Sequence, residues 1–392
     1  METELEDLRP RVDSELVTEL TRELVRFPSV NPPGNEQPAA EHLARRMRDL
    51  GLEAQIQQLE PDRANVIGRL RGRGEGHLVF TGHLDVVPTG EQAWQHDPFG
   101  AEMVNGEIYG RGSADMKGGV AAMVGAAAAL ARAGFKPSGD LIIACTAGEE
   151  AGMLGAGYMV EQNSLAGARY LIVGEPSDLQ VFIAEKGVLW FEIRASGRTA
   201  HGSMPWLGIN AVSFLARLAS QLEEMSFPFE ESKLLGGPTL SVNRIEGGNK
   251  TNVVPDTCRV SVDMRTVPSQ DHQAILRSIR ELAQSTADAA YQGLQFEIGI
   301  ENDKPPLETD ASEPLVRAMI QSVQRVRRTT PHVGGVTYGT DAACLGPGYG
   351  IPMVICGPGA PGMAHQPDEH VPVKQVIEAA EIYADVALRL LG

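Results

Sequence analysis

Two adjacent glutamates, Glu149 and Glu150, end the segment TAGEE, which directly follows the apolar run DLIIAC. Neighbouring side chains on an extended chain point to opposite faces, so the two carboxylates are suited to different tasks. Considered alone, such a pair is interpreted as solvated loop charge. Other acidic and imidazole side chains at the ends of apolar segments give this pair its chemical interest.

These other side chains each follow or precede an apolar segment. Taken singly, a histidine after a strand is usually a hydrogen-bonded loop residue, and a carboxylate there is usually a helix cap or turn residue. In open α/β sheets, ligands bind beyond the carboxyl ends of the strands, so we expect the side chains to converge. Imidazole and carboxylate groups without thiolate suit zinc, cobalt or manganese. These residues, which join the pair Glu149 and Glu150, are His83, Asp85, Asp115, Glu175 and His365.

The elements that must position these residues follow from hydrophobic patterning. Apolar strands alternating with amphipathic helices predict an α/β fold with a mostly parallel, doubly wound catalytic sheet. The segment GGVAAMVGAAAALARAGF approaches the composition of a membrane span, but it is Ala- and Gly-rich, which predicts a helix packed inside the fold.

The pattern changes after about residue 181 to alternating strands and two helices, which predicts an inserted α+β domain. Within it, VFIAEKGVLWFEIRASG predicts an exposed antiparallel strand pair. We therefore predict a first part of the catalytic domain at residues 1–181, the insertion at 182–295 and a second catalytic part at 296–392.

Composition narrows the class of protein. The 392 residues contain 34 Lys and Arg against 51 Asp and Glu, a net charge of −17 that argues against a nucleic-acid partner. Four widely spaced cysteines without a CxxC motif indicate thiols in a reducing compartment. The start METELEDLRP lacks the basic and apolar regions of a signal peptide, so we expect a cytoplasmic protein without a membrane partner.

Motifs spread in order over nearly the whole chain resemble the di-zinc amidohydrolase and peptidase family. This family includes acetylornithine deacetylase, succinyl-diaminopimelate desuccinylase, aminoacylase and glutamate carboxypeptidase. The motifs are GHLDVVP, WQHDPFGAEMVNGEIYGRGSADMKGG, TAGEEAG, VGEPS, SGRTAHGSMPWLGINA and MAHQPDEHV.

The resemblance implies two divalent metal ions per subunit, zinc first, with cobalt or manganese as alternatives. It implies that His83 and Glu175 hold one ion, that Glu150 and His365 hold the other, and that Asp115 bridges both. The peptide bond after Asp115 is expected to be cis, as is typical of the family.

Three further residues receive catalytic roles from the same resemblance. Asp85 would orient the imidazole of His83 through its other nitrogen. Glu149 would be the general base, which explains why the paired glutamates differ. His201, in an inserted lid domain, would reach the active site of a partner subunit and stabilise the oxyanion, so we expect a homodimer formed through that domain.

The substrate-binding residues implied by the resemblance are less specific. Asn252 and Arg265 are candidates for binding an amino-acid carboxylate, although Arg265 could equally be a strand-end surface charge. Gly339 and Thr340 lie in a loop expected to contact substrate. The remaining histidines of the motifs, and Lys186, receive no role.

Three functions remain open on the sequence. The first is hydrolysis of the amide bond in N-acyl amino acids, and the second is a dipeptidase or glutamate carboxypeptidase-like exopeptidase with the same metals. Many deacylases of the family carry Asp where this chain has Gly148, which weakens assignment to one subfamily. The third, a non-catalytic binding protein, is disfavoured because Glu149, Asp115 and His201 are all present.

Overall fold

The computed structural model describes residues 10–392. Residues 1–9, which carry most of the acidic start used to predict the absence of a signal peptide, lie outside the described residues. The chain forms two compact units. The first comprises the residues up to Ile183, Glu308–Gly334 and Thr340–Gly392, and the second comprises Ala184–Leu307 and Gly335–Gly339.

Strands within the described residues are numbered in chain order. They are β1 Glu53–Glu60, β2 Arg63–Leu70, β3 Gly74–His83, β4 Glu102–Val104, β5 Glu107–Tyr109, β6 Gly139–Thr146, β7 Ala168–Pro176, β8 Val181–Glu185, β9 Gly187–Ser196, β10 Ala200–His201, β11 Thr239–Gly247, β12 Val253–Val254, β13 Thr257–Thr266, β14 Gln295–Lys304, β15 Leu307–Glu308, β16 Val333–Val336, β17 Met353–Gly357 and β18 His370–Pro372.

Helices are numbered in the same way. They are α1 Ser14–Val25, α2 Gln37–Asp49, α3 Gly118–Arg132, α4 Leu154–Glu161, α5 Ala211–Glu224, α6 His272–Ala290, α7 Pro314–Arg327, α8 Ala342–Tyr349 and α9 Val373–Leu391.

A nine-stranded sheet has the order β1-β2-β6-β3-β7-β17-β8-β15, with β16 paired to β8. The neighbours β6, β3, β7 and β17 run parallel to one another, which confirms the predicted α/β fold with a mostly parallel central sheet. Every residue of β6 is buried, as expected for a continuous apolar run in a sheet covered on both faces.

Helix α3 is the Ala- and Gly-rich segment, and it is buried from Gly118 to Leu130. Together with the preceding turn, Ser113–Arg132 is long and apolar enough to cross a membrane, but 89% of its apolar window is buried inside the protein. The small side chains let neighbouring elements approach closely: a Cβ at Gly119 would lie 2.2 Å from the Gly174 carbonyl oxygen. The prediction of a packed internal helix is confirmed.

The second unit contains an antiparallel sheet of order β11-β13-β9-β14. Alternate residues of β13 are buried, and its apolar core includes Phe191, Phe214 and Ile279 from a strand and two helices. The predicted strand pair over VFIAEKGVLWFEIRASG is wrong, because β8 pairs with β17 whereas β9 pairs with β13 and β14. The single intervening residue, Lys186, is too short a connection for a hairpin, so the chain passes from one sheet into another.

Candidate active site

Three of the predicted ligands lie where parallel strands end, and two lie in connecting segments. His83 is the last residue of β3, Glu175 lies near the end of β7, and Glu150 follows β6. His365 lies between β17 and β18, and Asp115 lies with non-helical backbone angles (φ −118°, ψ 91°) in the short segment Ser113–Lys117 just before α3. The Asp115–Met116 peptide bond is cis, as expected.

One cluster consists of His83, Asp115 and Glu175, whose candidate ligand atoms all lie within 4.8 Å of one another. His83 Nε2 lies 3.0 Å from Asp115 Oδ1 and 3.5 Å from Glu175 Oε1. His83 Nδ1 lies 2.9 Å from the Asp85 carbonyl oxygen, which can only accept, so Nδ1 donates. The lone pair of a neutral ring is then on Nε2, directed at the carboxylates as a metal ligand requires.

The second cluster consists of Asp115, Glu150 and His365. His365 Nε2 lies 3.2 Å from Glu150 Oε1 and 3.4 Å from Asp115 Oδ2. His365 adopts a φ of +65°, a left-handed conformation that is uncommon for a residue other than glycine. Because the two clusters use different oxygens of Asp115, this carboxylate has the geometry of a bridge.

The electrostatics of the clusters are those of crowded carboxylates. Burial and the nearby Asp115 carboxylate raise the pKa of Glu175 well above its usual value. Burial alone would raise the pKa of Asp115, but hydrogen bonds with His365 and His83 hold it well below its usual range. Hydrogen bonds to the carboxylates of Asp115 and Glu150 raise the pKa of His365 to about 10. Divalent cations would relieve the repulsion between the carboxylates, so this donor set fits a pair of metal ions.

Glu149 belongs to neither cluster among residues 10–392 and is partly exposed. Withdrawal from water raises the pKa of its carboxyl group well above the usual value, against the opposing effect of His83. The nearby carboxylates of Glu175 and Asp341 raise it further. Glu149 therefore lies beside the clusters with its oxygens not engaged in either.

Asp85 contacts the second ring nitrogen of His83 through its backbone rather than through its side chain. The backbone carbonyl of Asp85 accepts from the ring at 2.9 Å, whereas the nearer carboxylate oxygen lies 3.7 Å from the same nitrogen. The carboxylate instead accepts hydrogen bonds from Asn31 and from backbone amides. Its orienting contact with the imidazole is thus made through the main chain.

Sequence reasoning missed a buried ion pair, Arg111 with Glu369. Arg111 Nη1 donates to Glu369 Oε2 at 2.7 Å, and the backbone amides of Ala114 and Asp115 donate to Oε1 at 3.0 Å each. Arg111 also donates to the carbonyl of His365 at 3.2 Å. The pair thus joins the segments that carry two candidate ligands. Both residues lie inside motifs that carry the family resemblance, and this was the sequence feature that could have indicated a role for them.

The residues predicted to bind the oxyanion and the substrate carboxylate lie in the second unit. His201 is exposed in β10, which pairs with β12, and its Nδ1 lies 2.7 Å from Ser203 Oγ. Asn252 is exposed, and its carbonyl accepts from the Gly202 amide. Arg265 donates two hydrogen bonds to Asp263, at 2.8 and 3.0 Å, so a substrate carboxylate would have to compete with that side chain.

The loop predicted to contact substrate divides between the two units, with Gly339 in the second and Thr340 in the first. Gly339 is partly exposed, whereas Thr340 is fully buried and its Oγ1 accepts from the Ala342 amide at the start of α8. Of the histidines left unassigned, His96 and His370 both stack on Tyr109, and neither belongs to a metal cluster found among the described residues.

Comparison with known proteins identifies the family. The model of the family described as "Peptidase family M20/M25/M40" matches residues 79–389. The chain is 31% identical to acetylornithine deacetylase of Vibrio cholerae serotype O1 over 341 residues, 86% of each chain. It is 26% identical to a probable succinyl-diaminopimelate desuccinylase of Staphylococcus aureus over 369 residues, 87% of this chain and 89% of the relative.

The fold is also that of solved structures. An M20 family metallo-carboxypeptidase of Sulfolobus solfataricus superposes with a TM-score of 0.78 at 21% identity, covering 95% of this chain and 98% of that one. The extent of the family match and the identity to the Vibrio deacetylase lead to one conclusion: the chain belongs to peptidase family M20/M25/M40.

Proposed function

We propose that this protein is a deacylase that hydrolyses the amide bond of N-acyl amino acids, of the acetylornithine or succinyl-diaminopimelate type. As a member of its family it is an enzyme, a metal-dependent hydrolase of amide bonds. The observation that carries the proposal is the pair of ligand clusters sharing Asp115, with Glu149 beside them. Similarity to the Vibrio deacetylase supports the substrate class.

In this proposal His83, Asp115 and Glu175 hold one ion, and Asp115, Glu150 and His365 hold a second, zinc in both positions. Divalent cations bound there would supply Lewis-acid polarisation of the amide carbonyl and activation of water. All the donors are imidazole nitrogens or carboxylate oxygens, which supports zinc, with cobalt or manganese as substitutes.

Glu149 carries the proton. Its carboxylate accepts a proton from the attacking water, whose oxygen bonds to the acyl carbon. The carbon–nitrogen bond then breaks, and Glu149 returns the proton to the leaving nitrogen, so the products are an amine and a carboxylic acid, which ionises at neutral pH. A carboxylate coordinated to an ion, as proposed for Glu150, would lose this freedom, so Glu149 has this role.

The inserted unit supplies the remaining contacts in the proposal. His201 of a second subunit donates to the oxyanion of the tetrahedral intermediate, which requires a homodimer. Arg265, exchanging Asp263 for substrate, pairs with the amino-acid carboxylate, and Asn252, Gly339 and Thr340 complete the pocket. A cytoplasmic location is also part of the proposal, supported by the buried thiols of Cys145, Cys258 and Cys356.

The test is amine release by zinc-loaded protein from matched N-acetyl amino acids, N-succinyl amino acids and dipeptides. We expect an acylated amino acid to be preferred by kcat/KM. A preference for dipeptides would replace the deacylase with an exopeptidase that uses the same residues. Absence of turnover on the entire panel, with two zinc ions bound per chain, would refute the substrate class.

A further inference from the structure

Asp85 and Asn31 form a buried pair that neither metal cluster contains. Asp85 is fully buried and Asn31 is 4% exposed. Asn31 Nδ2 donates to Asp85 Oδ2 at 2.9 Å. A buried carboxylate is stable only when its oxygens accept hydrogen bonds. The other donors to Asp85 therefore identify the segment of the chain that this carboxylate supports.

Three consecutive backbone amides in the turn after β6 donate to this one carboxylate. The amides of Gly148 and Glu149 lie 3.0 and 3.1 Å from Asp85 Oδ1, and the amide of Glu150 lies 3.2 Å from Oδ2. Successive amides that converge on an anion form a nest, which here includes Gly148 in the left-handed region at φ +76°. A carboxylate accepts about four hydrogen bonds, so these amides and Asn31 occupy it fully.

We propose that Asp85 is a positioning residue for the turn that carries Glu149 and Glu150, and that Asn31 holds the Asp85 carboxylate in place. The proposal rests on the proposed function, in which Glu150 is a metal ligand and Glu149 the base. His83 is oriented by the Asp85 carbonyl, a main-chain contact that a side-chain substitution leaves in place.

The proposal separates the two metal positions. In Asp85→Asn, an NH₂ group replaces one carboxylate oxygen that accepts from a backbone amide in the native protein. The turn then loses at least one of the hydrogen bonds that hold it. Titration of the metal-free protein with zinc should show affinity at the Glu150 position weakened by about 10–100-fold, with the His83 position nearly unchanged. Glu150→Gln and His83→Gln identify which binding step belongs to which position.

Asn31→Ala provides a second test that leaves the carboxylate intact. It should weaken the same step to a smaller degree, and the double variant should lose less than the sum of the two single effects, because both act through one carboxylate. This variant decides the question if Asp85→Asn does not fold.

Asp140→Asn is the matched control, at the opposite end of β6. Asp140 also accepts from a backbone amide, that of Gly72 at 2.8 Å, and from Arg71. It should lower thermal stability without changing either zinc-binding step.

Two outcomes would overturn the proposal. One is a larger loss of zinc affinity at the His83 position than at the Glu150 position, and the other is unchanged zinc binding in both the Asp85 and Asn31 variants. The titration needs no substrate, so a wrong substrate class would not alter it, whereas retention of both ions by Glu150→Gln would overturn the metal assignment and this proposal together.

Discussion

Glu149 and Glu150 show how neighbours in sequence acquire different chemistry. Only Glu150 has an oxygen within 3.2 Å of His365. We expect Glu149→Ala to lower kcat by about 10²–10⁴-fold, the usual contribution of a general base, while two zinc ions remain bound. Glu150→Ala is the matched variant and should lose one ion. Metal analysis of both dialysed variants checks this, and equal loss of metal would show that the division of roles is incorrect.

Gly148, the departure from the common deacylase pattern, is required by its backbone. Its φ is +76°, and a Cβ there would lie 2.6 Å from Arg63 Nη2, which is held by the buried Glu36. We expect Gly148→Ala to lower the free energy of unfolding by about 1–3 kcal/mol, measured by urea denaturation.

Gly157 is the control for that substitution. It lies in α4, and a Cβ added there would have no neighbouring atom within 4 Å, so Gly157→Ala should raise stability by about 0.5–1 kcal/mol. Similar effects of the two substitutions would mean that the left-handed conformation at Gly148 carries no cost.

At the scale of elements, the Arg111–Glu369 pair connects the segment after β5 to the one before β18. Both side chains are buried, and Glu369 also accepts the Asp115 amide. Glu369→Gln leaves the Arg111 charge buried without its counter-ion, so we expect a loss of about 3–5 kcal/mol in the free energy of unfolding. Denaturant titration measures it.

The exposed pair Arg71–Glu53 provides the comparison, with side chains 58% and 60% exposed. Glu53→Gln should change the free energy of unfolding by about 0–1 kcal/mol, because exposed ion pairs are screened by solvent. If Glu369→Gln were equally mild, the buried pair would not be needed to hold the segment of Asp115.

At the scale of the whole molecule, the proposed site requires two subunits. Next to His201, the side chains of Trp206 and Leu207 are 73% and 53% exposed, which is unusual for large apolar groups and supports an interface. We expect Glu149→Ala and His201→Ala to be inactive separately, and their mixture to regain roughly a quarter of the normal activity after subunit exchange, since a mixed dimer has one intact site.

Sedimentation of the unmixed protein gives the control for that experiment. It should show a dimer, and the mixture should regain activity only when exchange is allowed. A monomer, or a mixture that stays inactive after exchange, would require another donor for the oxyanion.

The sequence alone determined the elements of this protein and the identity of its candidate ligands. Composition along a segment is a local property, so the Ala- and Gly-rich α3 could be predicted as a packed helix, and it is buried from Gly118 to Leu130. The convergence of the candidate ligands could be predicted because the ends of parallel strands meet at one edge of a sheet, and the structure does bring these side chains together. The division of five of them between two ions was implied by the resemblance to the amidohydrolase family.

Only the tertiary structure decided which atoms of these residues meet. The separation of β8 and β9 into different sheets depends on partners far along the chain, which local alternation does not contain. The Asp85 carboxylate meets the amides of Gly148, Glu149 and Glu150 rather than the imidazole two residues away, and Arg111 meets Glu369 across 258 positions. A motif shows which chemical groups are present. Which donors hydrogen-bond to a buried carboxylate depends on all the segments that the fold brings next to it.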